Sequence, residues 1–402
     1  MDNTAAPRVR RRGGLGPAFV TAALVFGPGS ITTASSIGAR FSYDLVWAPV
    51  LATVLMLCFV DISVRIGLST DRGPVGTVAD RFGRGIAIAV ALGAFGVVTS
   101  FQAGNSVGTG AASQVLFGGN VGLFAALFTV LAIGFLWLPS LYKNLERVMV
   151  AIILVMLAIF VITAVIARPD LGAMLAGLVP SLPSGSSALV VGAVATTFSV
   201  VGAFYQIQLV REKGWGPGDY AIARRDATIG TLALGVLSFV IMIAAAAVLN
   251  PRGVKVSSPA DMATILEPTV GHWASVLFAV GLWAAAFSSL VGNATIGGSM
   301  LAGAAGKEDG GLRSKFVKVC ITVVMVLGGL VAIVFGGIPV QLIVTAQAVT
   351  IFVAPAIGIV LVILGHHKKR GSLAIGPFRT VLAIIGFAFL VLLAVSYVRN
   401  FS

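Results

Sequence analysis

Of 402 residues, 58% are hydrophobic and only 10% are charged, with a mean hydropathy of +1.03. A water-soluble domain carries roughly 25% charged residues, so the composition excludes one and points to an all-α, polytopic integral membrane protein. The net charge of +13 is read as basic loops that set orientation and meet anionic lipid, not as nucleic-acid binding.

In chain order, residues 1–14 form a basic N-terminus whose "RVRRR" reads as a cytoplasmic anchor, not as a cleavable signal. Eleven apolar runs long enough to span a bilayer follow, near 15–39, 44–68, 86–112, 120–140, 147–167, 187–211, 227–249, 272–302, 316–336, 339–364 and 376–398. Placing the N-terminus in the cytoplasm puts 22 of the 27 Lys and Arg residues inside and five outside, with the C-terminus outside. The longest outer loop, 250–271, has room for a short helix around "SPADMATILEP". The expected location is a prokaryotic plasma membrane.

The first span contains "VTAALVFGPGSITTASSIGA". Pro28 blocks a helical hydrogen bond and its flanking glycines weaken the helix further. Lipid tolerates such a break only where it lines a cavity, as in transporters whose half-helix ends face the substrate. An inverted repeat of spans one to five (15–167) as six to ten (187–364) then predicts a second break in the sixth span, with 376–398 as an extra helix. That span reads "LVVGAVATTFSVVGAFYQIQLV", with Thr196, Thr197, Ser199 and Gly202 at its middle and Tyr205 and Gln206 just beyond.

Other polar residues fall within spans. Gln102, Asn105 and Thr109 share one helical face of the third. Gln102, Asn105 and Gln347 are read either as cavity groups or as interhelical hydrogen-bonding groups, and Ser288, Ser289, Asn293 and Thr295 of the eighth span as the latter. Asp61 and Arg65, four apart, are read as a structural ion pair, with gating as the alternative. Cys58 and Cys320 lie in apolar runs and are expected as buried free thiols. His272, His366 and His367 lie in loops or at span borders, so no intramembrane proton relay is visible. No enzyme motif is recognised, and no cofactor is expected.

The chain resembles the Nramp family of divalent-metal transporters, which have a LeuT-type fold. The resemblance rests on "GPAFVTAALVFGPGSITTASSIGARFSYDLVWA", on "VLFGG" after the third span, and on "YKNLERVMVAIILVMLAIFVITAVIARPDLGAMLAGLVPS". It implies a site at the two breaks formed by Leu24, Gly27, Ser30, Thr196, Ser199, Tyr205 and Gln347, with Leu24 and Thr196 contributing carbonyls. The family's chemistry is replaced, however. Its first-span motif reads Asp-Pro-Gly-Asn, and here Gly27 and Ser30 stand at the outer positions; Ser199, Val200 and Val201 stand at the sixth-span Met-Pro-His; Gln102 and Asn105 replace third-span acids.

Transition metals favour carboxylate, imidazole or sulfur ligands. The resemblance therefore implies a divalent-cation transporter of altered chemistry, with Ser30, Ser199 and Gln347 as ligands if a cation is carried. Hydrated Mg²⁺ in a roomy cavity, moved without protons, is one expectation. "FGPGSI" is also similar to the Gly-x-Gly-Ile-type break of amino-acid transporters with the same fold, which implies instead a small organic or anionic solute. A non-transporting scaffold or sensor is a third alternative. Oligomeric state is not legible.

Overall fold

Backbone polar groups in lipid must be satisfied within their own segment, so long uncharged apolar runs become helices. The computed structural model describes residues 26–308, 311–335, 337–367, 371 and 373–399, with 139–144 and 146 by backbone alone. Among the described residues there are helices and no strands. Thirteen helices carry the architecture: α1 (Pro28–Phe41), α2 (Trp47–Leu68), α3 (Arg84–Phe117), α4 (Val121–Trp137), α5 (Pro139–Ile166), α6 (Ser187–Thr197), α7 (Val200–Glu212), α8 (Tyr220–Val248), α9 (Ala274–Ala304), α10 (Lys315–Phe335), α11 (Pro339–Ala348), α12 (Thr350–Gly365) and α13 (Pro377–Arg399).

Nine segments among the described residues are long and apolar enough to cross a membrane. The count of eleven read from the sequence adds α4, which has 17 residues, and the span containing α1. Residues 1–25, including Leu24 and the upstream part of that span, lie outside the described residues. Short helices unforeseen in the sequence occupy Pro74–Phe82 and Leu171–Ala176, and the outer-loop helix forms at Pro259–Ala263. Its Ser258 and Asp261 make a reciprocal capping box.

The sixth span is broken. Helix α6 ends at Thr197, Phe198 and Ser199 leave helical geometry at ψ 65° and 87°, and α7 starts at Val200. The Ser199 hydroxyl caps α7 by accepting from the Gly202 N–H at 3.2 Å. In the first span Gly27 is extended and Pro28 occupies the first turn of α1, where a missing N–H costs nothing. The tenth span is interrupted at Val349, between α11 and α12.

Helix α3, at 34 residues, is the long central strut, packed along α9, α10, α4 and α11. Without a strong hydrophobic drive in lipid, helices associate through close van der Waals packing of small residues. A Cβ on Gly38 would stand 2.3 Å from the Met242 carbonyl oxygen, and one on Gly298 2.5 Å from the Ile321 nitrogen, so α1 meets α8 and α9 meets α10 at backbone distance. The outward faces stay apolar, as at Val165 and Val334, each 71% exposed. Such a belt suits lipid, and water would penalise it.

Candidate substrate site between the broken helices

The start of α1 and the break between α6 and α7 line one cavity. A cavity of about 20 Å³ is lined by Gly27, Gly29 and Ser30 from the start of α1, Phe101 and Asn105 from α3, Thr196 and Ser199 at the α6–α7 break, Asn293 from α9 and Gln347 from α11. Ser30, Asn105 and Gln347 are almost wholly buried. Local bonding sets the outline: Thr33 donates to the Gly29 carbonyl at 2.7 Å, Thr196 to the Ala193 carbonyl at 3.0 Å, and Thr109 to the Asn105 carbonyl at 2.9 Å. These bonds satisfy the hydroxyls on their own helices. Asn105 Nδ2 and Gln347 Oε1 are buried without a hydrogen-bond partner among the described residues. Unpaired amides of this kind need a partner to offset their desolvation.

The lining differs from the sequence expectation in four ways. Tyr205 is not at the central cavity; it lies about one and a half turns along α7 and lines the inner cavity described below. Gln102 is absent from the lining too, because its amide donates to the Leu290 carbonyl at 3.0 Å and its stem packs at Gly328. Asn293, read from the sequence as a helix-packing group, lines the site. Finally, the cavity is not roomy: about 20 Å³ holds one or two waters, at about 10–15 Å³ each, and not an ion with a full hydration shell.

Ser289 was also read as a packing residue. A Cβ on Gly27 would stand 3.0 Å from Ser289 Oγ and 3.1 Å from Asn105 Oδ1. The space a larger first-break side chain needs is therefore filled by two neutral oxygens from α9 and α3. Nothing in the one-dimensional pattern linked residue 289 to residue 27.

The site sits between two further cavities. On the side of the α1 C-terminus, a vestibule of about 580 Å³ is lined by residues including Ser36, Arg40, Gln341, Thr345 and Tyr397. A tight packing of Thr33, Gly192 and Val344 separates it from the site, since a Cβ on Gly192 would lie 2.8 Å from Thr33 Cγ2. On the other side, a cavity of about 70 Å³ begins at Ser199 and runs past Gly202, Gln206 and Leu209 to Lys213, which is ion-paired with Asp226 of α8. Positions 199, 202, 206, 209 and 213 repeat every three or four residues, one face of α7.

Asp61 and Arg65 pair at 2.9 Å on α2, well away from the lining. The pair is part of a larger knot. Tyr220 donates to Asp61 Oδ1 at 2.7 Å, Arg379 of α13 donates to Oδ2, and Arg224 of α8 approaches at 3.6 Å. Sequence spacing exposes only the partner four residues away; residues 220, 224 and 379 are brought in by the bundle. Cys58 and Cys320 are buried free thiols.

Broken helices meeting at a buried polar cavity, with a vestibule on one side and an inner cavity on the other, are the architecture of a membrane transporter of the LeuT-like fold. The sequence model of the Nramp family (natural resistance-associated macrophage protein-like) matches residues 18–399, and the chain belongs to that family. It is 26% identical over 366 residues to a protein named divalent metal cation transporter MntH of Yersinia pestis, covering 89% of this chain and 88% of that one. It is 25% identical to the protein of the same name in Klebsiella pneumoniae, covering 89% and 87%. A crystal structure of the manganese transporter of Eremococcus coleocola superposes with a TM-score of 0.75 at 18% identity, covering 94% of this chain and 85% of that one. Mhp1, a nucleobase-cation-symport-1 family transporter in a closed conformation, superposes with a TM-score of 0.65 at 17% identity, covering 100% and 91%. These two likenesses carry the fold alone.

Proposed function

We propose that this protein is a transporter of a divalent metal cation, carried through a site of neutral oxygen donors. The observation that supports this most is the convergence of Ser30, Asn105, Thr196, Ser199, Asn293 and Gln347 on one cavity at two helix breaks. The relatives' names point to divalent metal as the cargo. Among the described residues no group of three His, Cys, Asp or Glu residues is placed to hold a metal. Hydroxyl, amide and carbonyl oxygens are hard ligands, which favour Mg²⁺ over softer transition metals. In a cavity of about 20 Å³ the ion keeps at most one water. Among the described residues no lining side chain titrates near neutral pH, which supports movement without proton coupling. The reading places the protein in a bacterial plasma membrane with the N-terminus cytoplasmic, the repeats at 15–167 and 187–364, and 376–398 added.

A second reading has its own support. The α1 and α7 N-termini both face the cavity, and helix N-termini attract negative charge. Among the described residues the vestibule is lined by Arg40 and by no carboxylate. Both features suit a small organic or anionic solute.

Uptake into proteoliposomes decides between them, comparing Mg²⁺, Mn²⁺ and a mixed pool of amino and carboxylic acids, with Gln347→Leu as the control. Saturable Mg²⁺ uptake abolished by Gln347→Leu supports the first reading. Metal flux equal to that of empty vesicles, together with saturable organic uptake, sinks it and supports the second.

A further inference from the structure

The knot around Asp61 carries more positive charge than it can neutralise. One carboxylate faces three guanidinium groups, Arg65, Arg224 and Arg379. A carboxylate has about four lone-pair sites. Here Arg65 Nε, Arg379 Nε and Tyr220 Oη bond to it, and Arg224 Nε stands at 3.6 Å. Asp61 thus accepts three hydrogen bonds, and within the knot three positive charges face one negative charge.

The surplus is not shared evenly. Arg65 is enclosed: its ring-facing side stacks over Tyr220 at 4.3 Å, and its remaining nitrogens donate to Tyr220 and, at 3.5 Å, to the Leu373 carbonyl. Arg224 and Arg379 use only Nε toward Asp61; their terminal nitrogens have no partner among the described residues. Their side chains are 56% and 27% exposed. Two planar forks, from α8 and α13, are thus gathered at one carboxylate with their outer edges free. Paired guanidinium forks match the oxygens of a phosphate.

The surroundings select the source of that phosphate. On α13, Phe378 and Val381 are 78% and 57% exposed, and on α8 Ile222 is 48% exposed. Exposed apolar side chains on the same first turns as the arginines, at the ends of two membrane-spanning helices, meet acyl chains. We propose that Arg224 and Arg379 form a binding site for the phosphate of an anionic phospholipid, wedged between the starts of α8 and α13 with Asp61 orienting both forks. Basic pockets between spans attract anionic lipid in this way.

The test uses purified full-length protein in neutral detergent. Thermal unfolding and native mass spectrometry are recorded with phosphatidylglycerol, phosphatidylcholine or inorganic phosphate added. Phosphatidylglycerol is expected to raise the unfolding midpoint by several degrees and to be retained in the mass spectrum, whereas phosphatidylcholine does neither. Arg224→Gln, which leaves the closer Arg65 and Arg379 contacts in place and is the variant expected to fold, should weaken apparent lipid affinity about tenfold, the loss of one charge-assisted bond. Arg379→Gln should act in the same direction. Equal effects of the two lipids, or wild-type affinity in Arg224→Gln, would overturn the proposal. Inorganic phosphate matching phosphatidylglycerol would also overturn it, assigning the forks to a soluble anion. A loss as large in Lys315→Gln, away from the knot, would reduce the effect to general surface charge and reject the site.

Discussion

The amide of Gln347 lies against Gly29: a Cβ on Gly29 would stand 2.3 Å from Gln347 Nε2 and 2.8 Å from its Cδ. The glycine after the first-span proline is thus the floor on which a tenth-span side chain rests, and a methyl group there would displace that amide.

From that contact, Gly29→Ala should push the Gln347 amide out of the site. Cation uptake should fall at least about tenfold, the lower end of what displaced ligand-supporting groups cost, while the protein still folds. Gln347→Ala should lose transport without the clash. The double variant should recover the unfolding temperature but not the flux. Uptake and thermal unfolding of the three proteins check this, and wild-type flux in Gly29→Ala would contradict the packing argument.

Among the described residues the central lining contains no side chain that titrates between about pH 5 and 8. Uptake should therefore be flat across that range and should not acidify the vesicle lumen. A pH-sensitive dye recorded alongside cation flux measures both; proton flux in step with the cation would show coupling through groups outside this cavity.

Lys213 and Asp226 join α7 to α8 at the far end of the inner cavity. The pair is partly exposed, so breaking it should cost about 1 kcal/mol or less in stability. Its effect on access should be larger. In a Ser199→Cys background, Lys213→Ala should speed thiol labelling from the basic face, and the swap Lys213→Asp with Asp226→Lys should return the rate toward that of the parent. Labelling unchanged by Lys213→Ala would remove the pair from the inner gate.

Asp61 is the one carboxylate of its knot, with its side chain 10% exposed. Asp61→Asn leaves the buried Arg65 against a neutral amide, and stranding a buried charge in this way costs about 3–5 kcal/mol. The variant should unfold at a markedly lower temperature, and added Arg65→Gln should recover part of the loss. A double variant no more stable than Asp61→Asn alone would mean that charge imbalance is not the cause.

Much of this was legible along the chain. Membrane class follows from apolar runs too long and too uncharged for any other solvent. The break at Gly27–Pro28 is a backbone property of two residue types, readable wherever they occur. The helix break at Phe198–Ser199 was legible only as a cluster of small polar residues, because no proline marks it; the Ser199 cap on Gly202 makes the break, and a cap is recognised only once the chain has turned. Asp61 and Arg65 were readable as a pair because four residues are one helical turn.

Other features depend on distances that the chain does not encode locally. Gln102 and Asn105 lie on one face of α3, yet only Asn105 reaches the cavity, since the Leu290 carbonyl captures the Gln102 amide. Asn293 and Ser289 looked like packing groups and became site groups through the approach of α9 to α1. The sequence alone determined that this chain is helical and membrane-borne, and that a helix starts at Pro28, because solvent and backbone chemistry act residue by residue. Which polar side chains share the cavity, how small that cavity is, and how three arginines come to share one carboxylate were decided by tertiary packing, because each depends on helices far apart in the chain meeting at side-chain distance.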